Sequence, residues 1–358
     1  LSRREEFRQV ISKHLKDKLS FLEETYGKDS EEYLSIYNQY VYREEEDIVT
    51  DEVNNRHYEA DCEGDSIKNL ERLYRRHGCV EIAWGCASNC RYCLRSNYED
   101  HYRLTDDNLI AIAEYCRDEG FEEILITGGD PFTNIKALSK FLGYLYDIAP
   151  NVQIYRIATR MITQSPKTIS EKIYSVLSRY SKVKRVEVAT QINSHLEFDE
   201  DVDNVIKRLQ SIGITIYSQN VFLKGVNDTP KQLIELYHSM RMRGIEAHYL
   251  FHAVPMKGTH HLRPSVSKMI DCYESLVNSG HVTGRSKPIL ALMTQIGKIT
   301  LTPNNVLGYD EENRTVELRS NYKYSDRMKY NPSWKLPDMA YVDEDGYLCI
   351  KYLDGKDN

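Results

Sequence analysis

Between residues 79 and 253, six short runs of β-branched, aliphatic and aromatic residues alternate with stretches whose apolar residues recur at helical spacing, and this alternation most constrains the fold. The runs lie at 79–84, 123–127, 153–159, 185–191, 215–222 and 247–253. Such runs suit a pleated surface and read as strands. Between them, sets such as Leu109, Ile112, Ala113 and Cys116, or Ile206, Leu209 and Ile212, each line one face of a helix. Thr105 to Asn108 and Asp228 to Pro230 carry helix-start residues, while Gly120, Gly213 and Gly244 stand where a left-handed C-cap closes a helix. Repeated βα units build a parallel sheet covered by helices. The expectation is an α/β fold, a partial (β/α)6 barrel, with its chemistry at the C-terminal ends of the strands.

The barrel is expected to occupy residues 76–285. Residues 1–75 read as a charged, helical N-terminal extension with a loop-like DEVNNRHYEADCEGDS near the join. Residues 286–358 read as a C-terminal extension, with two short strands around Gly297-Lys298 and a hairpin turning at Asp345-Gly346. A chain of 358 residues, 41% of them hydrophobic, can bury a core of barrel size. Its net charge of −7 is spread along the sequence without a basic stripe, which argues against a nucleic-acid partner and for a small-molecule substrate. No apolar run reaches membrane-spanning length, and LSRREEFRQVISKHLKDK is charged where a signal peptide would be apolar, so a soluble cytoplasmic protein is expected. Eight cysteines in a chain this long do not read as a disulfide framework.

The spacing of three cysteines says more than their number. WGCASNCRYCLRSNY places Cys86, Cys90 and Cys93 in a C-x3-C-x2-C array just after the first run. One loop can wrap these three thiolates around a four-iron cubane, leaving one iron without a protein ligand for a substrate or cofactor. A structural zinc site would want a fourth Cys or His nearby; Cys79 and Cys116 instead fall on a strand and a helix face, where cysteine behaves as a small hydrophobe. The array resembles the defining motif of the radical S-adenosylmethionine (SAM) superfamily, including the aromatic Tyr92 before the third cysteine. That resemblance implies a [4Fe–4S] cluster whose open iron binds SAM. One βα unit later, EEILITGGDPF presents Gly128, Gly129, Asp130 and Pro131, similar to the glycine-rich element that receives SAM in that superfamily. Paired glycines permit close backbone approach.

A narrower resemblance, over about residues 79 to 305, is to the lysine 2,3-aminomutase family, which moves an amino group from C2 to C3 of an amino acid. It rests on CRYCLR, LITGGDP, the ATR ending at Arg160, QNVFLKGVND beginning at Gln219, and YLFHAVPMKGTHHLR. The resemblance implies pyridoxal phosphate (PLP) as a further cofactor, carried by Lys298 in QIGKITLTP. It also implies Arg95 as receiver of the substrate carboxylate, Arg160 and Gln219 as cofactor contacts, a flavodoxin- or ferredoxin-type reductant, and a homo-oligomer, here with a different interface. Three departures stand out. The segment holding the PLP phosphate in the family reads LYRRHG, leaving Arg75, Arg76 or His77 as substitutes. The two acids that receive a lysine side chain are Val254 and Ala291 here, so the expected substrate is an L-α-amino acid other than lysine, its side chain apolar or read by groups such as His252 or His260. The family's zinc-binding cysteines are missing. A PLP-independent hydrogen abstraction, such as an epimerisation, is the alternative. His195, His252, His260 and His261 carry no assigned role, and buried structural or solvent-facing positions are their default.

Overall fold

A computed structural model of the chain describes residues 2–48, 67–97 and 103–357. The loop-like stretch at 51–66 lies outside these. One sheet of nine strands dominates, in the sequential order β1 (Leu70–Tyr74), β2 (His77–Ala83), β3 (Glu123–Gly128), β4 (Ile154–Ala158), β5 (Arg185–Thr190), β6 (Thr215–Phe222), β7 (Glu246–His252), β8 (Ile289–Thr294) and β9 (Gly297–Thr300). Strands β2 to β8 pair in parallel, and β1 and β9 add antiparallel edges. Successive parallel strands are joined by the helices Asp106–Asp118, Ile135–Ile148, Glu171–Ser181, Glu200–Ser211, Pro230–Met242 and Val266–Asn278. The sheet curls far enough for its two edges to meet: Lys298 Nζ of β9 lies 5.5 Å from the ring of Tyr74 at the end of β1.

The helix signals act as anticipated. Thr105 Oγ1 accepts from Asn108 N at 3.2 Å and Thr229 Oγ1 from Gln232 N at 3.3 Å. Gly120, Gly213 and Gly244 have φ of 67°, 82° and 70°, conformations that a side chain would strain. Each central strand is buried on its outward face. Ile124, Ile126, Tyr155, Ile157, Val186 and Val188 pack beneath helical residues such as Leu109, Phe141, Leu142 and Leu177 in one continuous core.

The six βα units stand where the sequence predicts them, with three differences. Strand β1 lies within the stretch expected to be helical. The first strand of the expected C-terminal hairpin is β8, a seventh parallel strand of the barrel, because its hydrogen-bonding partner is the distant β7 as well as its neighbour β9. The turn between β8 and β9 falls at Gln295-Ile296, which puts Gly297 and Lys298 inside β9. The sheet therefore runs past both ends of 76–285. Beyond it, β10 (Val306–Asp310), β11 (Thr315–Lys323), β12 (Ala340–Val342) and β13 (Tyr347–Leu353) form a second sheet, with helix Tyr324–Tyr330 following β11. The hairpin between β12 and β13 turns at Asp345-Gly346 as expected. At the other end, helices Lys13–Tyr26 and Glu31–Tyr40 share a small core of Leu15, Leu19, Leu22, Tyr33, Ile36 and Tyr40. No described helix is long and apolar enough to cross a membrane.

Candidate active site

The curled sheet encloses a cavity of about 1320 Å³, more than one small ligand needs. Its walls follow the twofold alternation of the strands. Glu123, Leu125 and Thr127 of β3, Arg156 and Ala158 of β4, Glu187 and Ala189 of β5, and Tyr217, Gln219 and Val221 of β6 all face it. Their sequence neighbours face the helices. The C-terminal loops add Cys86, Cys90, Tyr92, Cys93, Arg95, Gly128, Gly129, Asp130 and Arg160, and β9 adds Lys298. The residues singled out from the sequence thus share one cavity, with Pro131 buried immediately behind it.

Cys86, Cys90 and Cys93 sit on a loop gripped by the N-terminal extension. Asn89 N donates to Val10 O at 2.9 Å, Arg91 N to Gln39 O at 2.8 Å, and Ser12 N to Ser88 Oγ at 2.9 Å. Arg91, fully buried, forks onto the equally buried Glu46, with Nε at 2.9 and 3.1 Å from its two oxygens, and Nη1 donates to Phe7 O at 3.0 Å. Burial, followed by the neighbouring Cys93, Asp130 and Cys90, pushes the Cys86 thiol up, and burial with Cys90 pushes Cys93 up to about 11. As free thiols these groups keep their protons; metal ligation is what ionises such a sulfur. Among the described residues no three His, Cys, Asp or Glu side chains converge as ligands of one ion, which a mononuclear zinc site would require. Three cysteine thiolates on one loop are the donor set of a cluster whose ligands go to separate irons.

Arg160 is a cation beside the cysteine loop. Its Nη1 donates to Cys90 Sγ at 2.9 Å and to the Tyr92 hydroxyl, Nη2 meets Glu197 at 3.0 Å and Gln39 Oε1 at 3.2 Å, and Nε donates to Gln191 O at 2.9 Å. Glu197 is fully buried and also accepts from Thr163 Oγ1 and Asn193 N. Gln39 and Glu197, which the sequence did not mark, thereby orient Arg160 beside the cysteine loop.

The glycine pair also has a reason within the fold itself. A Cβ on Gly128 would lie 2.2 Å from Ala83 O, and one on Gly129 2.5 Å from Gly85 O. The close approach is to the backbone leaving β2, which locks the glycine loop against the cysteine loop. Asp130, at the cavity wall, is also held by the fold. Its carboxylate accepts from Phe132 N, Thr159 Oγ1, Arg160 N and Met161 N, all between 2.8 and 3.2 Å, tying the loop after β3 to the loop after β4. LKGVND is also an organiser. Asn227 accepts from Leu223 N and donates to Asn193 O and Val221 O, and Asp228 receives Gly225 N and Lys268 Nζ.

At the far wall, Lys298 Nζ lies 4.1 Å from the Tyr249 ring and 5.9 Å from that of Phe251. Burial, with a lesser push from Arg156, lowers its pKa to about 8. Arg156 itself contacts Tyr217 and Glu123, the latter at 2.6 Å, and lies 3.4 Å from the His77 ring. His248, beside Tyr217 and Tyr249, is lowered to about 4 by burial and by Arg156 and Lys298, so it is neutral. Arg95 faces the cavity paired with Glu81 of β2. The polar residues Glu81, Arg156, Tyr217 and His248 were legible only as polar exceptions within apolar strands.

Of the histidines considered as readers of the substrate side chain, His252 borders the cavity and His260 does not. His252 is fully buried, with Nδ1 2.9 Å from the Tyr352 hydroxyl and Nε2 2.7 Å from Pro264 O, and burial lowers its pKa to about 3. His195, His260 and His261 lie outside the cavity wall. Val254 lines the cavity and Ala291 is fully buried.

The radical SAM superfamily matches residues 80–237. A provisionally named L-lysine 2,3-aminomutase of Aquifex aeolicus (strain VF5) is 30% identical over 68% of this chain and 66% of its own length. The L-lysine 2,3-aminomutase of Methanococcus maripaludis is 28% identical over 63% of this chain and 52% of its own. The matches thus span about half to two thirds of these relatives. The crystal structure of Streptococcus suis SuiB bound to S-adenosylmethionine overlaps 62% of this chain and 51% of that one, at 15% identity and a TM-score of 0.47. Residues 80–237 form a radical SAM domain, a family that uses SAM and a [4Fe–4S] cluster, and the chain is similar to the lysine 2,3-aminomutases.

Proposed function

We propose that the chain is an amino-acid 2,3-aminomutase that converts an L-α-amino acid other than lysine into a β-amino acid. The observation that carries this reading is the placement of Lys298. A half-buried amine with a pKa lowered to about 8 faces aromatic rings inside the same cavity as the three-cysteine loop. In this reading Cys86, Cys90 and Cys93 hold the cluster, with Arg160 donating to one of its sulfurs and Tyr92 held beside it. The loop of Gly128 and Gly129 and the strand residue Gln219 line the space for SAM. Lys298 holds PLP, and Tyr249 offers a flat surface to its ring. The cluster and SAM supply a hydrogen-abstracting radical, given an electron from a flavodoxin- or ferredoxin-type donor, and PLP carries the migrating amino group.

The chain's own residues supply position and exclusion of water. Arg95 receives the substrate carboxylate with its planar fork, which requires that carboxylate to replace Glu81 as partner. Val254 offers no charge to a lysine side chain, and Ala291 lies buried outside the cavity wall. An amino acid with an uncharged side chain fits better. The test is anaerobic reconstitution with iron, sulfide and PLP, borohydride trapping and peptide mass analysis, followed by a screen of amino acids. A PLP adduct on Lys298 with β-amino acid formed from a neutral substrate is expected; lysine turned over in preference would sink the substrate assignment.

A second reading is PLP-independent radical SAM chemistry, such as an epimerisation of a small metabolite or peptide. What favours it is the LYRRHG segment. Arg76 is exposed and 2.6 Å from Glu122, and the His77 ring is turned to Glu123 at 3.4 Å. An iron–sulfur spectrum with no adduct on Lys298 would select this reading.

A further inference from the structure

A PLP site must neutralise a phosphate monoester as well as hold an aldehyde, and a guanidinium fork or a helix N-terminus is the usual means. Arg76 and His77, two of the three candidates in the segment before β2, already face Glu122 and Glu123, and the wall around Lys298 offers another cation. Helix Tyr324–Tyr330, outside the barrel, brings one. Arg327 lines the cavity and its Nη2 donates to Ile296 O at 2.6 Å. A Cβ on Gly297 would lie 3.2 Å from that nitrogen, so the guanidinium rests on the peptide immediately before Lys298. Gly297, at φ 103°, has the conformation and the bareness this contact requires. The Tyr322 ring lies 3.8 Å from the same point, and Tyr322 neighbours Tyr74, whose ring is 5.5 Å from Lys298 Nζ. Lys298, Tyr74, Tyr322 and Arg327 thus follow one another along one wall.

We propose that Arg327 is the phosphate anchor for PLP held at Lys298, a role supplied here by the C-terminal extension rather than by the segment before β2. This inference rests on the PLP reading above. Arg327 is mostly desolvated, and burial strengthens its attraction for a dianion. Lys323 and Asp326 line the same wall, with Asp326 facing Lys329 at 3.4 Å.

The experiment compares PLP with pyridoxal, which has the aldehyde but no phosphate, as ligands of the full chain, reading the visible absorbance of the Lys298 adduct and its borohydride-trapped mass. The wild type should prefer PLP. Arg327→Gln should weaken PLP roughly 10- to 100-fold, the cost of charge-assisted hydrogen bonds, while leaving pyridoxal unchanged. Arg327→Lys should fall between them, and Arg75→Gln, at the cavity mouth, should keep the preference. If Arg327→Gln keeps the wild-type preference for PLP, or weakens both ligands in parallel, the anchor is overturned while the PLP reading stands. If the wild type forms no adduct with either ligand, the PLP reading falls and takes the anchor with it.

Discussion

An ammonium group set against aromatic rings keeps a cation–π attraction but loses most of its water, and at Lys298 the loss dominates, lowering the pKa to about 8. Arg156 adds like-charge repulsion. The unprotonated amine, the form that attacks an aldehyde, is therefore far more populated near neutral pH than for an ordinary lysine. The rate of PLP adduct formation should rise with a midpoint near pH 8, and Tyr249→Ala, which readmits water, should move that midpoint toward the ordinary lysine value. A midpoint above pH 10 in the wild type would contradict the burial argument. The stability sign follows. Between about pH 8 and the ordinary lysine value the unfolded amine binds more protons than the folded one, so this group makes the fold more stable as pH rises through that window.

The element that most shapes the site has no motif. The N-terminal extension grips the cysteine loop mainly through the carbonyls of Phe7, Val10 and Gln39, and backbone atoms leave no signature in a sequence. Its side-chain anchor is Glu46 against Arg91, both fully buried. Removing one partner of such a pair strands the other, so Glu46→Ala should cost about 3–5 kcal/mol in denaturant unfolding and lower the iron retained after reconstitution. Glu46→Leu with Arg91→Leu should recover part of the stability, because two apolar groups leave no orphaned charge. If Glu46→Ala holds iron as the wild type does, the grip is not what orders the loop. The contrast with the barrel explains what the sequence makes legible. The six βα units and the three-cysteine spacing are local patterns, read from neighbours in the chain. The partnership of β8 with β7, the use of Gly128 and Gly129 against β2, and the inward aim of Asp130 depend on which distant segment arrives alongside.

For the whole molecule, the curl of the sheet decides where ligands meet. Strands β1 and β9 are its edges, yet Tyr74 and Lys298 face each other across the seam where those edges approach. The cysteine loop lies at the C-terminal rim of the parallel strands, whereas Tyr74 lies at the turn that begins β2. A ligand on the cysteine loop and a ligand on Lys298 therefore load different parts of the barrel. Only the second spans the seam, adding to an edge strand that otherwise relies on β2 for its backbone pairing. The free energy of opening a segment rises by the binding free energy that its closed form gains, and exchange through that opening slows accordingly. Hydrogen exchange at 70–74 and 297–300 should slow when PLP is added and hardly change when SAM is added to the cluster-loaded protein. Equal protection by SAM would mean that the seam is not where PLP binds, and protection by PLP confined to the C-terminal rim would place Lys298 outside the site.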